Sequence, residues 1–134
     1  MIVAVCVDDR MGMLFHNRRQ SRDKLVCADL LHMAAGGRLC VTPYTAKLFD
    51  PAVPLCVHET PAECAETADV CFLEDPALLP PPDVIDTLLC YRWNRAYPFD
   101  AVFPLSLEGW VLTETLEFPG SSHERITKEV YHRA

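Results

Sequence analysis

IVAVCVDDRMGMLFHNRRQSRDKLVCAD, residues 2–29, is the stretch whose reading decides the fold. Its opening, Ile2 to Val7, is continuously apolar and mostly β-branched, which suits a central strand buried on both faces. Asp8 and Asp9 close that strand. The Met11–Phe15 segment is too apolar for a free loop and holds Gly12 where the chain is expected to turn, so it reads as a loop lying across a pocket. Ser21 is a favoured N-cap, and Cys27, Leu30, Leu31 and Ala34 then recur at helical spacing over residues 22–35. Asp23 stands four residues before Cys27 and so starts the same buried stripe. The strand, the loop carrying Arg18, Arg19 and Arg22, and the helix head with its carboxylate together make one junction.

Working outward, Gly36 and Gly37 are expected to end the helix as a left-handed cap. Strand follows helix at Arg38–Thr42, the pattern of a βαβ unit with parallel strands. Thr42 and Pro43 open a short helix through Phe49. Short strands are expected at 55–58 and 69–73, with one or two helical turns at 61–67 between them. EDPALLPPPD, residues 74–83, is a stiff connector, because its consecutive prolines preclude a long helix. Residues 85–94 form a strand with Leu89, Tyr91 and Trp93 on one side and Leu88, Cys90 and Arg92 on the other. WVLTETLEF, residues 110–118, suits an outer antiparallel strand. For residues 122–132 the capping box of Ser121 and Glu124 favours a helix. Ile126, Thr127, Val130 and a Pro119-Gly120 hairpin connection favour a strand.

With 134 residues, half of them apolar, the chain is the size of one domain over 1–134. No apolar run reaches the length of a membrane span, and no signal-peptide pattern opens the chain, so a cytoplasmic protein without membrane attachment is expected. Seven cysteines, an odd number without a C-x-x-C pair, sit mostly in apolar runs and read as small buried hydrophobes. The five histidines are not spaced as zinc ligands, and no metal is expected. A net charge of −7 argues against nucleic acid. Within that acidic chain Arg10–Lys24 carries five basic residues against one acid, a net of plus four that leaves minus eleven elsewhere. Such an island is a candidate anion site, the alternative being a solvated loop with incidental charges.

VDDRMGMLFHNRRQSRDKLVCADLL (7–31) followed by RLCVTPYTAKLF (38–49) resembles the opening of dihydrofolate reductases. There an acidic strand end, a Gly-Met loop and an Asp at the head of the first helix occur in that order. The distal order is also similar: DTLLCYRWN, YPFDAVFP, Trp110, Phe118, Ser122-His123 and a closing strand. The resemblance implies an α/β fold with a mixed sheet, mostly parallel, ending in antiparallel C-terminal strands, and it favours strand for the tail. It further implies that Asp23 matches the acid anchoring the substrate heterocycle, Tyr91 the polar strand residue beside it, and Met11–Arg19 the mobile loop. The chain is also similar to small, mostly uncharacterised bacterial proteins, some carrying a ribonuclease Z label, although the H-x-H-x-D-H pattern of that chemistry is absent here.

Two departures disfavour NADPH and leave no cofactor expected. Phe72-Leu73-Glu74-Asp75-Pro76 stands where the family has adjacent glycines against the pyrophosphate, and its carboxylates repel phosphate. Thr42-Pro43 replaces a basic pair that holds the cofactor phosphate. The expectation is therefore a small-molecule-binding domain of reductase-like fold. Asp23, Arg18, Arg19, Arg22 and Tyr91 would take a small anionic or heterocyclic ligand, with Asp23 also the candidate catalytic acid or base. Such a site predicts a pocket walled by Asp23 and at least one arginine. The alternatives are a non-catalytic interaction or regulatory module, self-associating through an edge strand near the C-terminus, and an NADPH-dependent reductase.

Overall fold

The computed structural model describes residues 1–134. Strands β1 (Ile2–Val7), β4 (Leu39–Val41), β5 (Cys56–Val57), β6 (Val70–Phe72) and β7 (Thr87–Arg92) run parallel. With β9 (Trp110–Phe118) and β10 (Ile126–Arg133) they form one sheet in the order β5-β4-β6-β1-β7-β10-β9. The closing strand β10 pairs antiparallel with both of its neighbours. This is the mixed α/β architecture expected, with the tail as strand.

Alternation along β1 and β7 divides the core between the two faces of the sheet. Ala4, Leu89, Tyr91 and Trp93 pack on one side against Val26 and Leu30 of helix α1 (Lys24–Met33) and Ala34, its C-cap. Val3, Val5, Val7, Leu88 and Cys90 pack on the other with Ile85, Met13 and Phe103. Full burial of one such aliphatic side chain stabilises the fold by roughly 1.5–3 kcal/mol, so α1 is held mainly by Val26 and Leu30. Its buried stripe is therefore turned by one residue from the expected one, with Cys27 and Leu31 only half-buried.

Several local expectations are corrected. Asp23, not Ser21, is the N-cap of α1, its carboxylate accepting from Leu25 N at 2.9 Å. Neither Gly36 nor Gly37 is left-handed. Gly37 instead meets a close approach, since a Cβ there would lie 2.4 Å from Ala68 O. At the other turn the left-handed residue is Met11, at φ 63°, rather than Gly12. The expected loop over 11–19 is an antiparallel hairpin of β2 (Gly12–Phe15) and β3 (Arg18–Arg19). His16 and Asn17 turn it with φ of 51° and 60°, the positive pair that suits the twist of a two-residue hairpin. Strand β8 (Ala101–Val102) pairs along the other side of β2, fixing this hairpin near the carboxyl ends of the parallel strands. The short helices are α2 (Pro43–Ala46), capped by Thr42, and α3 (Pro61–Cys64). Two 3-10 turns, Pro76–Leu78 and Pro82–Val84, make up the proline-rich connector. No helix is long and apolar enough to cross a membrane.

Candidate functional site

In open α/β sheets ligands bind beyond the carboxyl ends of the parallel strands. Here side chains of the chain itself occupy part of that region, and a cleft of about 370 Å³ remains beyond β4 and β6, lined by Thr42, Tyr44, Thr45, Glu59, Glu74 and Asp75 among others. Arg19, leaving β3, lays a two-pronged guanidinium on Glu74 just past β6, with Nε–Oε2 at 2.8 Å and Nη2–Oε1 at 3.0 Å. The same guanidinium stacks 4.1 Å over the Tyr44 ring, and Thr45 Oγ1 donates to Glu74 Oε1 at 2.8 Å. Burial opposes the Arg19 charge, but the Glu74 hydrogen bonds outweigh it and raise the pKa. Beneath the pair, Cys6, Met13, Gln20, Ser21 and Trp93 enclose only about 10 Å³ with Arg19 and Glu74. That is room for about one water and not for a heterocycle.

Asp23 is also enclosed, its side chain 0% exposed. Oδ1 accepts from Leu25 N and Ser121 N, both at 2.9 Å, and from Ser121 Oγ at 3.2 Å. Oδ2 accepts from Ser122 N at 2.9 Å and His123 Nδ1 at 3.0 Å. Burial pushes the carboxyl pKa up, yet these donors outweigh it and hold Asp23 well below the usual carboxylate range. Gly120 makes the docking possible, because a Cβ there would fall 2.3 Å from Asp23 Oδ2. Ser121 Oγ also accepts from Lys24 N at 2.8 Å. The serine that reads as the cap of a local helix therefore caps α1 from across the chain.

With Nδ1 donating to Asp23, the single lone pair of His123 Nε2 is shared between Tyr97 OH at 2.9 Å and Ser21 Oγ at 3.1 Å, and Tyr97 OH also lies 3.3 Å from Ser21 Oγ, to which it can donate. Trp93 stacks on the imidazole at 4.6 Å between centroids. Carboxylate, imidazole and hydroxyl thus follow one another as in a hydrolytic triad. However, His123 is 1% exposed and the cavity beside the half-buried Ser21 measures only about 10 Å³, too little for an acyl group.

The remaining predicted residues separate. Tyr91 is buried and its hydroxyl donates to Asp29 Oδ2 at 2.5 Å, where Lys128 Nζ also lies 2.9 Å away. It is thus beside a different acid from the one expected. Burial, followed by the Asp29 contact, pushes its phenol pKa far up. Arg18 and Arg22 are exposed and neither makes a salt bridge. Arg18 and Arg19 share a surface cleft of about 580 Å³ with Phe15, His16, Gln20, Tyr97 and Pro98. Arg22 and Asp23 are not among its walls, so the expected pocket combining Asp23 with an arginine does not form. A second cleft, about 740 Å³, has mixed charge from Arg95, Glu124 and Arg125 beside Trp93, Asn94, Ser122 and His123. No three metal-ligating side chains come together.

Sequence reasoning missed Glu74 as the partner of Arg19 and Gln20 as a shared wall. Gln20 Nε2 donates to Asp8 Oδ2 at 3.1 Å, while its Oε1 is the one buried side-chain polar atom without a partner. It also missed His123 as the partner of Asp23. The only signal for that contact was the similar order of the C-terminal segment.

No family model matches this sequence, and no curated protein does. Solved structures do match, 205 chains in number. One is the dihydrofolate reductase from Enterococcus faecalis complexed with NADP(H) and RAB-propyl. The likeness has a TM-score of 0.70 at 13% identity and covers 99% of this chain and 96% of that one. The chain therefore has a dihydrofolate-reductase-like fold.

Proposed function

We propose that the chain is a small-molecule-binding domain that takes a planar anionic ligand in the cleft beneath the β2–β3 hairpin. The observation that carries this reading is Arg18, a guanidinium with no carboxylate partner on the wall of a cleft that also presents Phe15 and Tyr97. Guanidinium and aromatic faces together suit a flat anion, and about 580 Å³ falls in the range of small-molecule pockets. Gln20 offers an acceptor that a ligand donor would satisfy if the side chain turned outward.

In this reading the ligand is not a nicotinamide dinucleotide. Glu74 stands where a phosphate would approach, and it already binds Arg19 and Thr45, so a phosphate would have to displace a paired carboxylate. Asp75 adds a second carboxylate, whose Oδ1 accepts from Ala77 N. No catalytic group is assigned, because the carboxylate best suited to the role has all its lone pairs engaged within the fold.

Thermal-shift measurements against pterins, nucleotides, NADPH and inorganic phosphate test the reading. A ligand at a hundred times its Kd stabilises the folded state by about 2.7 kcal/mol. Arg18→Ala removes a charged hydrogen bond of roughly 1.5–3 kcal/mol and should weaken the stabilising ligand by about 10- to 150-fold. Stabilisation by NADPH that survives Arg18→Ala would replace this reading with the reductase.

A second reading, an interaction module, rests on β9. This edge strand leaves Val111, Leu112 and Leu116 each nearly half exposed beside an unpaired backbone edge. A solution mass above that of one chain, with no ligand response, would favour it.

A further inference from the structure

Cys40 on β4 and Cys56 on β5 occupy matching positions of adjacent parallel strands. Neighbouring strands lie about 4.8 Å apart, within the roughly 4.4–6.8 Å between Cα atoms that a disulfide spans. Residues in register also point to the same face of the sheet. Arg38 connects their surroundings. Its Nη1 donates to Cys56 Sγ at 3.3 Å, and its Nε and Nη2 donate to Asp69 Oδ2 at 3.2 and 2.8 Å. The same Asp69 oxygen accepts from Cys40 Sγ at 3.7 Å.

We propose that Cys56 and Cys40 are a peroxide-responsive dithiol, Cys56 the attacking thiol and Cys40 the resolving one. Cys56 is half-exposed on an edge strand of two residues, where hydrogen peroxide reaches it and the backbone can close on β4. Arg38 Nη1, donating to Cys56 Sγ, holds that sulfur in place beside β4. The thiolate attacks one peroxide oxygen, the O–O bond breaks, and sulfenic acid and hydroxide result. Cys40 sulfur then attacks Cys56 sulfur; the S–S bond forms, the S–O bond breaks, and the Cys40 proton passes through Asp69 to the departing hydroxide. Two thiols lose two electrons to peroxide, which becomes two waters.

Cys40 is fully buried and Cys56 half-exposed, so peroxide meets Cys56 first. Other thiols are poorer candidates. Cys71 also matches Cys40, from β6, but it and Cys90 are both fully buried, out of reach of peroxide, and neither has an arginine on its sulfur.

Peroxide treatment of the fully reduced protein, followed by peptide mapping, tests the pair without any variant. The expected result is the loss of two hydrogens and two of the seven thiols, with a Cys40–Cys56 crosslink reversed by dithiothreitol. Cys40→Ser, once shown to melt cooperatively, should hold a dimedone-reactive sulfenic acid on Cys56, whereas Cys56→Ser should keep Cys40 free. Seven free thiols after treatment, a crosslink to Cys64 or Cys71, or overoxidation of Cys56 without a crosslink would overturn the assignment.

Discussion

Asp23 and Arg18 stand on either side of the turn into α1 and carry opposite charges, yet the fold uses them in opposite ways. Around Asp23 the backbone of residues 121–122, the imidazole of His123 and the first turn of α1 supply every hydrogen bond its oxygens need. Around Arg18 nothing in the chain answers the charge. The difference comes from backbone donors. The carboxylate of Asp23 is satisfied by N–H groups at a helix start and a turn, whereas Arg18 on its hairpin end meets neither a carbonyl, as Arg10 does at Tyr97, nor an acid, since Glu74 is taken by Arg19. Charge alone therefore does not mark a ligand-facing residue; the lack of an internal partner does.

The largest expected effect is at Asp23. Replacing it with Ala strands the N–H groups of Ser121 and Ser122 and the His123 ring in a sealed site, which should cost about 3–5 kcal/mol in urea unfolding. The pH dependence follows from the sign of the shift. Asp23 in the folded chain lies well below an unfolded carboxyl at about 3.9, as does Asp69, lowered to about 2 by the Arg38 hydrogen bonds. Their stabilisation is complete above about pH 4 and is lost as pH falls through the folded values, because the unfolded state then binds more protons. Asp23→Asn should flatten this acid limb by up to about 1.4 kcal/mol per pH unit. An unchanged limb would show that the carboxylate is not held as described.

The intermediate effect is at Glu74. Glu74→Gln keeps the shape but removes the charge, and should cost about 1–3 kcal/mol, because Arg19 remains half-buried over Tyr44 without a counter-ion. It should also give the sheet a second free guanidinium. Inorganic phosphate or a nucleotide should then raise Tm more for the variant than for the parent chain. Equal shifts would mean that Arg19 takes no anion even when released from Glu74, and that the cleft at Arg18 acts alone.

How much of this was legible depended on range. The parallel core, the two faces of β7 and the outer strand β9 follow from alternation and β-branched runs, and those elements appear where they were expected, whereas local propensity left residues 122–132 open between helix and strand and only the resemblance favoured the strand that forms. The expected site was dispersed because its partners are distant in the chain. Asp23 meets His123 and Arg19 meets Glu74 through sheet order, which hydropathy patterning does not encode. Tyr91 was placed on the correct face, but Asp29 and Lys128 were on no list of candidates for it. Even the cap was displaced for this reason: Ser21 and Asp23 both suit an N-cap, and the docking of residues 120–123 onto the carboxylate decides between them.

The smallest effect sharpens the same contrast at Ser21, whose hydroxyl completes the order carboxylate, imidazole, hydroxyl. A working nucleophile needs a reacting carbonyl about 3 Å away and donors for the oxyanion. Ser21 is half-buried, and the space beside it, lined by Cys6, Met13 and Trp93 beneath the Arg19–Glu74 pair, measures only about 10 Å³. Its role is then to share His123 Nε2 with Tyr97, so that loss of one hydroxyl leaves the ring nitrogen still served. Ser21→Ala should cost about 1 kcal/mol or less and should not change the rate at which the protein hydrolyses p-nitrophenyl acetate. A pre-steady-state burst of nitrophenolate, abolished by Ser21→Ala, would show that the cavity opens in solution and that the buried chain of groups acts as a relay.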